Sequence, residues 1–258
     1  MSFSRDSSYS IFEALKPPDD SEVTHAVVST YSLDLVTLLG LVLTLGGKAD
    51  EEFETGPIGL IDAFRKVRGK LTVLCQIKRI VVPRKHHSIL LLLDGIVRQV
   101  VADERKNSWR SKFAIIRYEN SEGSSWRLWI GSRNLTGSRD VEAGLLLTGK
   151  VSSGRGVVLD DVTDLINRLP RADDLPRNIQ SELRQVRWSG PAGVRVTKIH
   201  WRRVGTVVPF LEQNVRPRST IAISPFIDKW RSRCTGVCRR IYWPSYDRRI
   251  GWWIRVPP

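Results

Sequence analysis

The stretch "SWRSKFAIIRYENSEGSSWRLWIGSRNLTGSRDVEAGLLL", Ser108 to Leu147, decides how the chain folds. Two runs, Phe113 to Tyr118 and Trp126 to Ile130, are apolar and rich in aromatic and β-branched residues, which fit a pleated, buried surface. The segment between them, Glu119 to Ser125, is polar and contains a glycine, as a hairpin connection does. A third run, Ala143 to Leu147, supplies another strand. If the first two runs pair as a hairpin, the residue entering one strand and the residues leaving the other share one edge of the sheet. Lys112 enters the first, and Gly131-Ser132-Arg133-Asn134 leaves the second. An ammonium, a hydroxyl and a carboxamide at one edge form a donor set suited to the non-bridging oxygens of a phosphoryl group. The same spacing also fits a solvated strand end followed by an ordinary turn. Leu135 to Arg139 reads as a short helical turn with Thr136 available to cap it.

Upstream of this stretch, Ala26 to Thr30 reads as a strand, followed by Tyr31-Ser32-Leu33-Asp34 and a helix-like apolar run from Leu35 to Leu45. Strand followed by helix is the α/β signal. Gly46-Gly47 stops that helix, Asp50 to Glu54 forms an acidic loop, and a second helix is expected from Ile58 to Val67, ended by Gly69. Leu71 to Cys75 and Ile89 to Leu93 read as buried strands. Downstream, Val157 to Leu169 carries helical spacing up to Pro170, and Leu175 to Val186 forms another helix with Pro176 in its first turn. Val194 to Trp201 and Thr220 to Ser224 read as further strands. The fold class is therefore α/β, a mixed sheet flanked by helices.

The formal net charge is +14, from 41 Lys and Arg against 27 acids. From Pro191 to Pro258 there are fourteen Lys and Arg against three acids, so eleven of the fourteen excess charges lie in the last quarter of the chain. A field of that sign attracts polyanions, nucleic acid first and anionic membrane second. The longest apolar run, Leu35 to Leu45, is far short of the roughly 20 residues that a membrane span needs. The N-terminus carries acidic residues and prolines where an export signal needs an unbroken apolar segment. Three cysteines, Cys75, Cys234 and Cys238, cannot all pair, which fits a reduced cytoplasm. Cys234 and Cys238 resemble half a metal site, but the sequence nearby offers no further ligands, so neither a metal nor another cofactor is expected.

Ser108-Trp109-Arg110-Ser111-Lys112, followed after the hairpin by Gly131-Ser132-Arg133-Asn134-Leu135-Thr136 and then Glu142, resembles one copy of the phospholipase D superfamily motif, which reads His-x-Lys and then Gly-Ser-x-Asn. Thr30 to Asp34 and Leu93-Asp94-Gly95 are similar to the lead-in of bacterial phospholipase D-like proteins, and Ile223 to Ile227 looks like the first strand of a second copy. The resemblance covers roughly Thr24 to Asp228. It implies a phosphodiesterase built from two copies, acting on nucleic-acid backbones or phospholipids, in which one histidine attacks phosphorus and the other protonates the leaving group. Under it, residues 1–150 form the first half, 151–218 a helical connector and strand, and 219–258 the start of a second half. Lys112, Ser132, Asn134 and Glu142 then occupy site positions, and Arg110 stands where the nucleophile belongs. A guanidinium is protonated at any ordinary pH and offers no lone pair for attack. No second His-x-Lys follows, and none of His25, His86, His87 and His200 sits two residues before a lysine.

Beyond Asp228, Trp230, Trp243, Trp252 and Trp253 are scattered among basic residues without apolar periodicity. Such a segment fits translation in a shifted reading frame or a damaged gene copy, and the rival reading is an arm that stacks on bases and pairs with phosphates of a single strand. The expectation is thus a degenerate, catalytically impaired phosphodiesterase domain of phospholipase D type. The alternatives are a module that binds phosphate or nucleic acid without cleaving it, and an enzyme that completes its site by homodimerisation and uses a nucleophile the motif does not mark.

Overall fold

The computed structural model describes residues 10–47, 57–85, 88–102, 109–137, 143–151, 156–170, 175–194, 196 and 198–199. The strand expected at Thr220 to Ser224, the second motif copy, the tryptophan-rich segment 229–258, His86, His87, His200, Glu142, Cys234 and Cys238 lie outside the described residues.

The core is an eight-stranded mixed sheet. In chain order its strands are β1 (Glu22–Thr30), β3 (Leu71–Gln76), β5 (Val97–Val100), β6 (Phe113–Asn120), β7 (Gly123–Gly131), β8 (Gly144–Lys150), β9 (Val157–Val158) and β10 (Arg187–Ser189). They lie side by side as β5-β3-β1-β6-β7-β8-β10-β9. The β1–β3 and β3–β5 pairs are parallel, and every pair from β1 through β6 to β9 is antiparallel. A small second sheet pairs β2 (Leu33–Asp34) with β4 (Ile80–Val81). One face of the large sheet is covered by α1 (Ile11–Leu15), α2 (Leu35–Leu45) and α3 (Pro57–Val67), and the other by α4 (Asp160–Asn167), α5 (Arg177–Leu183) and the segment that follows β10.

Two covered faces explain why β6 is buried on both sides from Phe113 to Tyr118. Along β6, Ala114, Ile116 and Tyr118 enter the core under α1 to α3, whereas Phe113 and Ile115 enter the core under α4 and α5. The alternation of a one-sided strand is absent because both sides are dry. Asp34 starts α2 by accepting hydrogen bonds at Oδ1 from the Val36 and Thr37 amides, at 2.7 and 3.3 Å.

Four readings of the sequence need correction. Ile89 to Leu93 is not a buried strand but part of a 3-10 helix, Ser88–Leu93, with Leu91 76% exposed. Its turns close through the Asp94 amide to the Leu91 carbonyl and the Ile96 amide to the Leu93 carbonyl, and Val97–Val100 takes the place beside β3. A short apolar run carries no periodicity that separates strand from helix. At Val194 to Trp201, the described residues form no strand; Val196 and Ile199 are buried, and the Ile199 amide donates to Asp161 of α4 at 3.3 Å, which ties the segment to a helix instead of a strand. Leu135 begins no helix. It bridges Leu33 in parallel, and the Thr136 amide turns back to the Asn134 carbonyl. The stretch from Val157 to Leu169 opens with the short strand β9 before α4, and Asp160 and Asp161 sit in the first turn of α4, where the helix dipole favours them.

Helix α1 is a fifth element, absent from the sequence reading, and its docking is polar as well as apolar. The Ser10 hydroxyl caps it by accepting from the Glu13 amide at 3.1 Å. The fully buried Tyr118 hydroxyl donates to the Leu15 carbonyl at 2.7 Å, and Arg127 donates to the carbonyls of Ala14 and Lys16. Burial pushes the Tyr118 phenol far above its ordinary range, so it stays a donor at every physiological pH. Tyr118→Phe strips the Leu15 carbonyl of this donor in a dry setting. The expected cost is about 1–3 kcal/mol, read as a lowered urea midpoint at unchanged m-value.

Candidate functional site

The carboxyl ends of β1, β3 and β7 and the start of β6 meet at one edge of the sheet, because β1 runs parallel to β3 and antiparallel to β6. In open α/β sheets, the carboxyl ends of parallel strands are where ligands bind. Lys112 precedes β6 directly, and the Gly131 amide donates to the Lys112 carbonyl at 3.3 Å. That bond places Lys112 and Ser132 on adjacent strand ends. Ser132 leaves β7 with its amide on the Ala143 carbonyl at 2.9 Å, and its hydroxyl accepts from the Ala143 amide at 3.2 Å.

Gly131 has a packing reason rather than a conformational one. A Cβ there would stand 2.3 Å from the indole of Trp129, and one at Gly144 would stand 2.7 Å from the indole nitrogen. The two glycines leave room for a ring lying across the strand ends.

Past Ser132 the chain crosses the end of β1. The Leu135 amide donates to the buried Thr30 hydroxyl at 2.9 Å, which itself donates to the Ser32 carbonyl at 2.8 Å, and the Asp34 amide donates to the Leu135 carbonyl at 2.9 Å. Asn134 is held between these anchors. Its side-chain oxygen is buried, and among the described residues no donor reaches it.

The segment before β6 is pinned with equal care. The Trp109 indole donates to the Ser29 hydroxyl at 3.1 Å, that hydroxyl donates to the Ser111 carbonyl at 3.1 Å, and the Trp109 amide donates to the buried Gln76 side chain at 2.7 Å. Lys112 Nζ donates to the Arg110 carbonyl at 3.5 Å. The Arg110 guanidinium lies over the Tyr31 ring, 4.8 Å from its centroid, and Arg79, from the turn between β3 and β4, lies over the same ring at 5.1 Å.

The sequence matches no protein-family model and no curated protein. Among solved structures it is similar to two variants of yeast tyrosyl-DNA phosphodiesterase, each at 14% identity over 64% of this chain, with a TM-score of 0.40. The alignment spans 35% of that enzyme's chain.

Of the residues singled out in the sequence, Lys112, Ser132, Asn134 and Arg110 all lie at this edge, and Glu142 is outside the described residues. Thr30, Tyr31 and Arg79 are additions. The hydroxyl of Thr30 can be found in the sequence only as the last residue of a strand. Tyr31 and Arg79 meet through a turn whose Lys78 has a left-handed φ of 64°, and no spacing announces that contact. Close by, Cys75 is buried and its thiol is pushed up to about 11 by burial, which leaves it an inert thiol rather than a nucleophile. Among the described residues, no group of three His, Cys, Asp or Glu is placed to hold a metal, and no helix is long and apolar enough to cross a membrane.

Proposed function

We propose that this chain is a phospholipase D-like phosphodiesterase domain that has kept the phosphoryl-binding half of its site and lost the attacking half. The observation that carries this reading is the adjacency of Lys112 and Ser132 at the sheet edge with Arg110 two residues before the lysine. Lys112, the Ser132 hydroxyl and the Asn134 amide supply donors for phosphoryl oxygens, and Arg110 adds a charge where a nucleophile would need a lone pair. The buried atom of the Asn134 side chain wants a partner. Turned over, that carboxamide presents N–H donors to an anion. A homodimer would bring a second Arg110 to the first and still no base, so pairing of chains does not repair the site.

The net charge of +14 favours a nucleic-acid backbone over a phospholipid as the bound species, in the cytoplasm. The test is anisotropy titration of a labelled single-stranded oligonucleotide at several salt concentrations. The full chain is expected to bind with a salt slope of about 0.7 per phosphate contacted, and Lys112→Ala is expected to lower that slope by about one contact. Absence of binding by the full chain sinks the reading. The same titration on a chain stopped at Asp228 decides the part played by 229–258: a slope reduced by several units makes that segment a binding arm, and an unchanged slope excludes one.

A further inference from the structure

We propose that Thr30 is a positioning residue of the site, setting through the main chain the direction in which Asn134 offers its carboxamide. This rests on the phosphoryl-binding reading above and adds to it a residue that itself touches no ligand. Thr30 ends β1 and is buried, so its hydroxyl has to find partners within the protein. Both partners are main-chain groups: it accepts from the Leu135 amide at 2.9 Å and donates to the Ser32 carbonyl at 2.8 Å. The Leu135 amide and the Asn134 carbonyl belong to one planar peptide unit. Fixing the direction of that N–H therefore fixes the plane that follows Asn134, and with it the torsion that aims the Asn134 side chain. The far side of the plane is held as well, because the Asn134 carbonyl accepts from the Thr136 amide at 2.9 Å. The next unit is fixed by the Asp34 amide, which donates to the Leu135 carbonyl at 2.9 Å, and the Leu135 side chain is buried in the core under α2. Asn134 has no such support of its own. Its side-chain oxygen is buried and no donor among the described residues reaches it, so the carboxamide takes its direction from the main chain.

The chemistry of residue 30 is therefore separable from its shape. Thr30→Val keeps the volume and the β-branch but leaves the Leu135 amide without an acceptor and the Ser32 carbonyl without this donor. Thr30→Ser keeps the hydroxyl and both bonds. Thr30→Ala also lacks both bonds, and it leaves room for a water that can satisfy the two groups without fixing the plane.

The experiment is the anisotropy titration of the labelled single-stranded oligonucleotide at one salt concentration, with the urea midpoint of each variant measured alongside so that every titration is made on folded protein. Asn134→Ala is expected to weaken binding about tenfold or more, the value of a hydrogen bond to a charged group. Thr30→Val is expected to weaken it by a similar factor, Thr30→Ala likewise should it fold where Thr30→Val does not, and Thr30→Ser by less than about twofold. In the Asn134→Ala background, Thr30→Val should cost less than about a further twofold, because the group that it positions is already gone. Equal losses from Thr30→Val in both backgrounds, or from Thr30→Ser and Thr30→Val, make the hydroxyl a merely structural one and overturn the proposal. Parent-like binding by Thr30→Val or Thr30→Ala beside a weakened Asn134→Ala also overturns it, and leaves the phosphoryl-binding reading standing. Parent-like binding by Asn134→Ala removes both the asparagine from that reading and the role of Thr30. No binding by the full chain overturns the reading and the proposal together.

Discussion

Glu182→Ala is expected to lower the thermal midpoint by about 6–20 °C, from a loss of about 3–5 kcal/mol for breaking a buried ion pair and about 2–4 °C per kcal/mol for a chain of this size. Glu182 ties α5 to the sheet. Its Oε1 accepts from Arg117 Nε at 3.0 Å, the Ser124 hydroxyl at 2.7 Å and the Trp126 indole at 2.7 Å, and its Oε2 accepts from Arg117 Nη2 at 2.9 Å. The Arg117 side chain is only 9% exposed and also donates to Glu119 at 2.7 Å and Thr24 at 2.8 Å. With Glu182 gone, a guanidinium under the helix layer keeps one partner carboxylate that is half exposed. The paired change Arg117→Met with Glu182→Leu removes both charges and should recover most of the loss. Calorimetry on the two variants and the parent checks this, and a midpoint within about 2 °C of the parent for Glu182→Ala alone would refute the tie.

The same cluster sets the response to acid. Burial by itself raises the Glu182 carboxyl, but the hydrogen bonds from Arg117, Ser124 and Trp126 outweigh it and hold the group below the usual glutamate range. Its stabilisation is therefore present above an unfolded value of about 4.3 and is lost as pH falls through the lower folded value. His25 is shifted down by burial and by the nearby charges of Arg117 and Lys70. The unfolded chain takes up that proton below about pH 6.5 while the folded chain resists it, so stability starts to fall there. Acid unfolding should thus proceed in two stages, and Glu182→Gln should erase the lower one.

The second large effect concerns turnover. The unmodified chain is expected to hydrolyse bis(p-nitrophenyl) phosphate no faster than buffer, because no group at the Arg110 position can attack phosphorus. Arg110→His supplies a nucleophile but no second histidine to protonate the leaving group. General acid catalysis is worth about 10² to 10⁴ in rate, so this variant should remain feeble by that factor. Robust hydrolysis by the unmodified chain, lost in Lys112→Ala, would overturn the impaired site.

The β6–β7 hairpin is legible in the sequence: Phe113 to Ile116 and Leu128 to Ile130 are buried apolar runs, and their register puts Lys112 beside Gly131. Helices α2 and α3 are legible from their glycine stops. Helix α1 is five residues long and depends on Tyr118 and Arg127 from far along the chain, so local pattern cannot reveal it. Strand β10, only three residues, is fixed by pairing with β8 and β9. Arg117 in the middle of an apolar run marks a buried partner, but nothing in the sequence points to Glu182 rather than to another acid. At the site, the residue types at 112, 132 and 134 were readable from spacing, whereas the ring shared by Arg79 and Arg110 exists only after three separate segments meet.

The register of the sheet also implies an order of assembly. Strands β6, β7 and β8 pair with their sequence neighbours, Phe113 with Ile130 and Ile130 with Leu145, so closing this meander encloses little chain. Joining β1 to it pairs Ser29 with Phe113 and must close a loop several times longer, at a higher entropic cost. The meander therefore forms early and the β1 junction late. Ser132 and Lys112 are neighbours from the first stage, but Asn134 and Arg110 take their places only when Thr30 and Tyr31 arrive. A nascent or partly melted chain therefore holds Lys112 beside Ser132 before Asn134 is anchored and before the ring of Tyr31 stands under Arg110.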